Sequence, residues 1–105
     1  MDNFKDVKVS DLIAEDGFDL TGHKNMVVDL SAESADVTVV DFNCMKPRME
    51  YKIVATNGAS TQNEIILPAG STLYDGEVTK ANGMTILYRF FTDNYSILCK
   101  REVYA

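Results

Sequence analysis

The sequence contains no tryptophan, one histidine, two prolines and two cysteines in 105 residues. Each scarcity excludes something. Cys44 and Cys99 lie 55 positions apart and His23 stands alone in a turn-like context beside Gly22, so the clustered ligands of a transition-metal site are missing and no metal is expected. Two cysteines do not make a disulfide framework. Both sit in strand-like surroundings and are expected to be small buried hydrophobes. The six glycines, at 17, 22, 58, 70, 76 and 83, never cluster as a phosphate-cradling loop does. His23 has no nucleophile-elbow sequence to serve. No apolar run approaches the roughly 20 residues of a membrane helix. The N-terminal stretch MDNFKDVKVSD lacks the apolar core of a secretory signal, so a reducing, cytoplasmic setting is the expectation.

What is present is ordinary globular composition, 46% hydrophobic and 25% charged. A chain of this length supports one modest core, so residues 1–105 are expected to form a single domain. The formal net charge is −6, which argues against nonspecific and direct nucleic-acid binding. That charge is unevenly placed. Residues 1–41 carry ten acids and three lysines, a balance of −7, whereas residues 42–105 carry +1.

The local patterns are mostly those of strands. Met84, Ile86, Tyr88 and Phe90 alternate with Thr85, Leu87, Arg89 and Phe91, and Met49, Tyr51, Ile53 and Ala55 alternate in the same way. Residues 95–104 alternate too, and Asp36–Phe42, Glu64–Leu67 and Ser71–Thr79 are further β-rich runs. Met26–Leu30 reads as another strand and Ser31–Ala35 as a loop or one helical turn. Asn57-Gly58 and Asn82-Gly83 supply the positive φ of tight hairpin turns, and Asp93-Asn94 is a weaker form of that signal. Ser10–Gly17 reads as one short helix, with Ser10 as its cap and Gly17 in the left-handed C-terminal position. No internal repeat is visible. Together these features predict a mainly β fold, an antiparallel meander of six to seven strands closing into a small barrel or sandwich, with one short N-terminal helix.

The segment Ser60-Thr61-Gln62-Asn63-Glu64-Ile65-Ile66-Leu67-Pro68-Ala69-Gly70-Ser71 resembles the C-terminal motif of mono-ADP-ribosyltransferases. There a Gln/Glu-x-Glu pair enters a strand that ends in a Leu-Pro-x-Gly turn. The resemblance covers about residues 48–79. It implies that Glu64 stabilises the oxocarbenium-like sugar as nicotinamide leaves NAD and that Gln62 orients the acceptor. The Arg-bearing first strand of that family has no match, since the arginines are Arg48, Arg89 and Arg101.

Two functional expectations follow. In the first, the chain is a small, non-enzymatic, acidic inhibitor or adaptor that needs no cofactor. Asp11, Glu15, Asp16, Asp19, Asp29, Glu33 and Asp36 would pair with a basic protein, such as the nucleic-acid-binding surface of an enzyme. Small phage-encoded inhibitors, anti-CRISPR proteins among them, share this size and charge. The hairpin formed by residues 84–104 is apolar on both faces, so either both are buried, with the short helix covering one, or one is exposed for a partner or a second copy of the chain. In the second, the chain is a minimal or degenerate ADP-ribosyltransferase-like NAD-binding domain that uses Gln62 and Glu64.

Overall fold

Alternating apolar residues do become strands. The computed structural model describes residues 4–15, 17–20, 24–43, 49–69, 71–75, 78–92 and 97–104. These hold a four-residue helix and ten strands in the order β1 (Lys5–Val7), α1 (Val9–Leu12), β2 (Phe18–Asp19), β3 (Asn25–Asp29), β4 (Val37–Thr38), β5 (Phe42–Asn43), β6 (Glu50–Thr56), β7 (Ile65–Ile66), β8 (Ser71–Asp75), β9 (Thr85–Thr92) and β10 (Ile97–Tyr104). The fold is mainly β, with almost no helix.

The expected antiparallel meander is not what the pairing shows. A six-stranded sheet runs β1-β3-β6-β9-β10-β8, and β2-β5 and β4-β7 form two further pairs. Only β6-β9 and β9-β10 are antiparallel; the other pairs are parallel. The parallel pairs reveal the architecture. Phe18 pairs with Phe42, Met26 with Ile53 and Val37 with Ile65, offsets of 24, 27 and 28 residues in unbroken chain order. The stretch β2–β3–β4 is therefore one coil, and β5–β6–β7 is a second coil stacked on it. Strand β1 adds a partial coil beside β3. The hairpin β9–β10 lies antiparallel against β6 and continues the sheet where a third coil would stack. The sheet is open, with β1 and β8 at its edges, not a closed barrel.

Stacking like on like builds the core. The inward residues Met26, Val28, Tyr51, Ile53, Ala55, Ile86, Tyr88, Phe90 and Cys99 are all buried. Phe42 stacks on Phe90 at 5.0 Å and Tyr51 on Phe90 at 5.6 Å, joining both faces of the second coil to the hairpin.

Several local expectations change. Helix α1 starts two residues early: Lys8, not Ser10, is its N-cap, with no side-chain hydrogen bond, and the Asp11 and Leu12 amides donate to the Lys8 carbonyl. Gly17 does take a left-handed conformation (φ 88°), and its amide donates to the Ala14 carbonyl. Gly83 (φ 77°) lies in the turn closed by the Met84 amide and the Ala81 carbonyl. That turn leads into β9 but joins no paired strands, because β8 pairs with β10. Asn57-Gly58 is not a hairpin turn at all. β6 leads to β7, which pairs with β4. Gly58 is needed for close approach, since a Cβ there would sit 3.0 Å from the Ser31 Cβ. Asp93-Asn94, Cys44 and His23 lie outside the described residues.

Candidate functional site

The reversal at Gly17 returns the chain past α1, so Asp19 on β2 and Asp11 on α1 line one depression of about 280 Å³ together with Lys5 and Asp6 of β1. On the sheet side of β1 lies a second depression, about 520 Å³, lined by Asp6, Val7, Val27, Asp29, Ser31 and Gly58 among others. Asp6 and Val7 belong to both. The Ser31 backbone N–H and the Ser31 side chain hold Asp29 below the usual carboxylate range, so it is charged at neutral pH. Among the described residues, strand β1 is the outermost strand of the sheet at this end, and no other strand pairs with its outer edge.

The seven predicted acids therefore divide. Asp11 and Asp19 share one depression, and Asp29 lines the neighbouring one. Glu15 is exposed and in neither, and Asp16 lies outside the described residues. Glu33 is half-buried, and its carbonyl accepts the Asn63 side-chain amide at 2.8 Å. Asp36 lies elsewhere: its Oδ1 accepts from the Glu64 amide at 3.0 Å and from Lys80 Nζ at 2.8 Å. Partial burial works to raise its pKa, but these two donors outweigh it and the net direction is down. Asp6 joins both depressions, although sequence reasoning passed over it. Its only signal was a charged Lys-Asp-Val strand too short to show a period.

The motif that resembles a transferase lies on β7. A depression of about 340 Å³ is lined there by Glu64, Leu67, Pro68, Tyr88, Cys99 and Arg101 among others. Glu64 is paired with Arg101 at 3.4 Å, both side chains less than a fifth exposed. The Ile65 amide donates to the Tyr88 hydroxyl at 2.8 Å, and burial pushes that hydroxyl far up in pKa. Burial likewise pushes the Cys99 thiol up to about 11, so it is neither thiolate nor nucleophile at neutral pH. Gln62 is exposed and does not line the depression, so the Gln–Glu pair is not brought together in one site. Among the described residues no group of three His, Cys, Asp or Glu could hold a metal ion. None of the helices described is long and apolar enough to cross a membrane. No protein-family model matches the chain, and no curated protein and no solved structure is significantly similar to it.

Proposed function

We propose that the chain is a small acidic protein-binding inhibitor or adaptor whose edge strand β1 receives an extended basic segment of a partner protein. One observation carries this: β1 is the edge strand of the main sheet, and its Lys5, Asp6 and Val7 line one depression with Asp11 and Asp19. An added strand gains main-chain hydrogen bonds from such an edge, and its alternate side chains point to opposite faces. Lysine or arginine on the side that faces α1 would meet Asp11 and Asp19 in charge-assisted pairs. A segment of that kind is typical of nucleic-acid-handling enzymes, and occupying it would exclude their nucleic acid, as a phage-type, anti-CRISPR-like inhibitor does. The acidic field of the first 41 residues would also speed the encounter. We further propose that the β9–β10 hairpin meets a second copy of the chain.

The test is titration of a labelled extended Lys/Val-alternating peptide into the protein. Affinity is expected to fall at least about tenfold from low to high salt. It is expected to be lost in Asp11→Lys/Asp19→Lys. Salt-independent affinity, or binding indifferent to that double change, overturns the reading. The alternative, an ADP-ribosyltransferase-like NAD-binding domain, draws support from Glu64 in its depression. The Arg101 pairing and the exposed Gln62 weigh against it. Calorimetric titration with NAD decides it: heat that disappears in Glu64→Gln favours it, and no heat removes it.

A further inference from the structure

Strand alternation sorts the outward side chains of the hairpin and β6 into rows. Lys52, Arg89 and Lys100 stand side by side across β6, β9 and β10. One step along, the row is Val54, Leu87 and Glu102; on the other side it is Glu50, Phe91 and Leu98. Val54, Leu87 and Leu98 are half-buried and Phe91 is 42% exposed, so apolar side chains flank the cation row and no described element covers them. Like charges directly opposite one another on neighbouring strands destabilise a sheet. Among the described residues Lys52 has a carboxylate close by, Glu50 at 3.9 Å, and Arg89 and Lys100 form no ion pair.

We infer that this face packs on the same face of a second copy, about a twofold axis that crosses the strands over Ile53, Tyr88 and Arg101. The inference rests on the proposed hairpin dimer and specifies its pairing. Those three residues share one row at the middle of the exposed area. An axis there overlays these three rows and the last one, Thr56, Thr85 and Tyr104, whereas an axis along the strands sets cations on cations. It brings the cation row over the Val54–Leu87–Glu102 row. Lys100 then meets Glu102 of the second copy, twice by symmetry. Arg89 covers Leu87 of that copy, and Leu98 covers its Tyr104. The strands stay aligned, as in face-to-face sheet packing. Three strands of up to eight residues present roughly 380 Å² per copy. That is below the about 800 Å² per partner of a standard stable interface, so the dimer is weak. Each copy carries −6, and at physiological ionic strength screening confines that repulsion to about 8 Å.

Sedimentation equilibrium on the full chain tests the inference. The wild type is expected to dimerise with a Kd on the order of 100 µM. Lys100→Glu and Glu102→Lys are each expected to weaken the dimer about tenfold, and the double change to restore it, because each pair re-forms with reversed polarity. Both residues are exposed, and circular dichroism checks that each variant folds. A folded wild type that stays monomeric at every concentration overturns the dimer and its pairing together. A dimer indifferent to either single change, or not restored by the double, overturns the twofold pairing and leaves hairpin dimerisation standing. A monomer that binds hexaglutamate in a manner abolished by Arg89→Glu places an acidic partner on this face, and the inference is then wrong.

Discussion

The stacked coils and the hairpin are held together differently. β9 and β10 pair over eight residues each without a break and are four residues apart in the chain. Strands β2, β4, β5 and β7 of the coils have two residues each. Ladders that short contribute few hydrogen bonds, so side chains bracket the coil corners. The Asn57 side-chain amide donates to the Asn63 and Met84 carbonyls, its oxygen accepts from the Asn63 amide, and the Asn63 side chain reaches the Glu33 carbonyl. A local antiparallel hairpin is specified by its backbone and its alternation. A parallel coil is specified by a few polar side chains placed far apart in the chain.

The halves meet at Phe90, and the largest effect is expected there. Phe90→Ala removes a fully buried ring stacked on both Phe42 and Tyr51 and is expected to cost about 3–5 kcal/mol in urea unfolding. A loss below about 1 kcal/mol would show that coils and hairpin do not share one core. Asn57→Ala strikes the bracket itself. It strips partners from the Asn63 amide and carbonyl and is expected to cost about 2–3 kcal/mol. Asn82→Ala, at an exposed position in the turn before β9, is the matching control and is expected to stay within about 0.5 kcal/mol. Equal costs for the two asparagines would erase the distinction between bracketed coil and self-sufficient hairpin.

The same distinction explains what the sequence made legible. The periods of residues 84–91 and 49–55 are local, and both became strands of the main sheet. Met26–Leu30 was legible for the same reason. The coil repeat was not, because its register partners match only loosely. Phe18 and Phe42 are identical and Val37 and Ile65 are alike, but Met26 sits on Ile53 and Val28 on Ala55. A core that asks only for apolar volume leaves no spacing motif to find. Asn57-Gly58 misled because the asparagine serves as a bracket and the glycine makes room for Ser31. At the candidate site, Asp11 and Asp19 were legible as charges. Their convergence with Asp6 was not, since it depends on β1 pairing with a strand some 21 residues onward.

A smaller cost is expected from Tyr88→Phe. The Tyr88 hydroxyl, on the hairpin, satisfies the Ile65 amide on the free side of β7. Losing it leaves a buried N–H without its acceptor, worth about 1–3 kcal/mol. The hydroxyl's pKa is raised far above the working range, so this cost should be flat from acid to mildly alkaline pH. A cost that varied across that range would mean that another group supplies the acceptor.

Apart from the Asn82 control, the smallest effect is expected at Asp36, and pH separates its charge from its hydrogen bond. Its carboxylate joins the coil corner at the Glu64 amide to Lys80, which precedes the hairpin. Partial burial opposes ionisation, yet the Lys80 and Glu64 donors prevail and the folded pKa is lowered. An unfolded aspartate titrates near about 3.9. The unfolded chain therefore takes up its proton first as pH falls. The stabilisation is complete above that value and is lost as pH drops through the lower folded one. Asp36→Asn keeps an oxygen for the Glu64 amide and removes the charge together with the Oδ2 acceptor of Lys80. Lys80 is well exposed, so screening limits the cost to about 0.5–1 kcal/mol at neutral pH. Urea unfolding of both proteins should show that gap near pH 7 and its disappearance once the pH falls below the lowered folded pKa. A gap that persisted in acid would trace to the geometry of the amide, and the lysine would then contribute nothing to holding the coil against the segment that enters the hairpin.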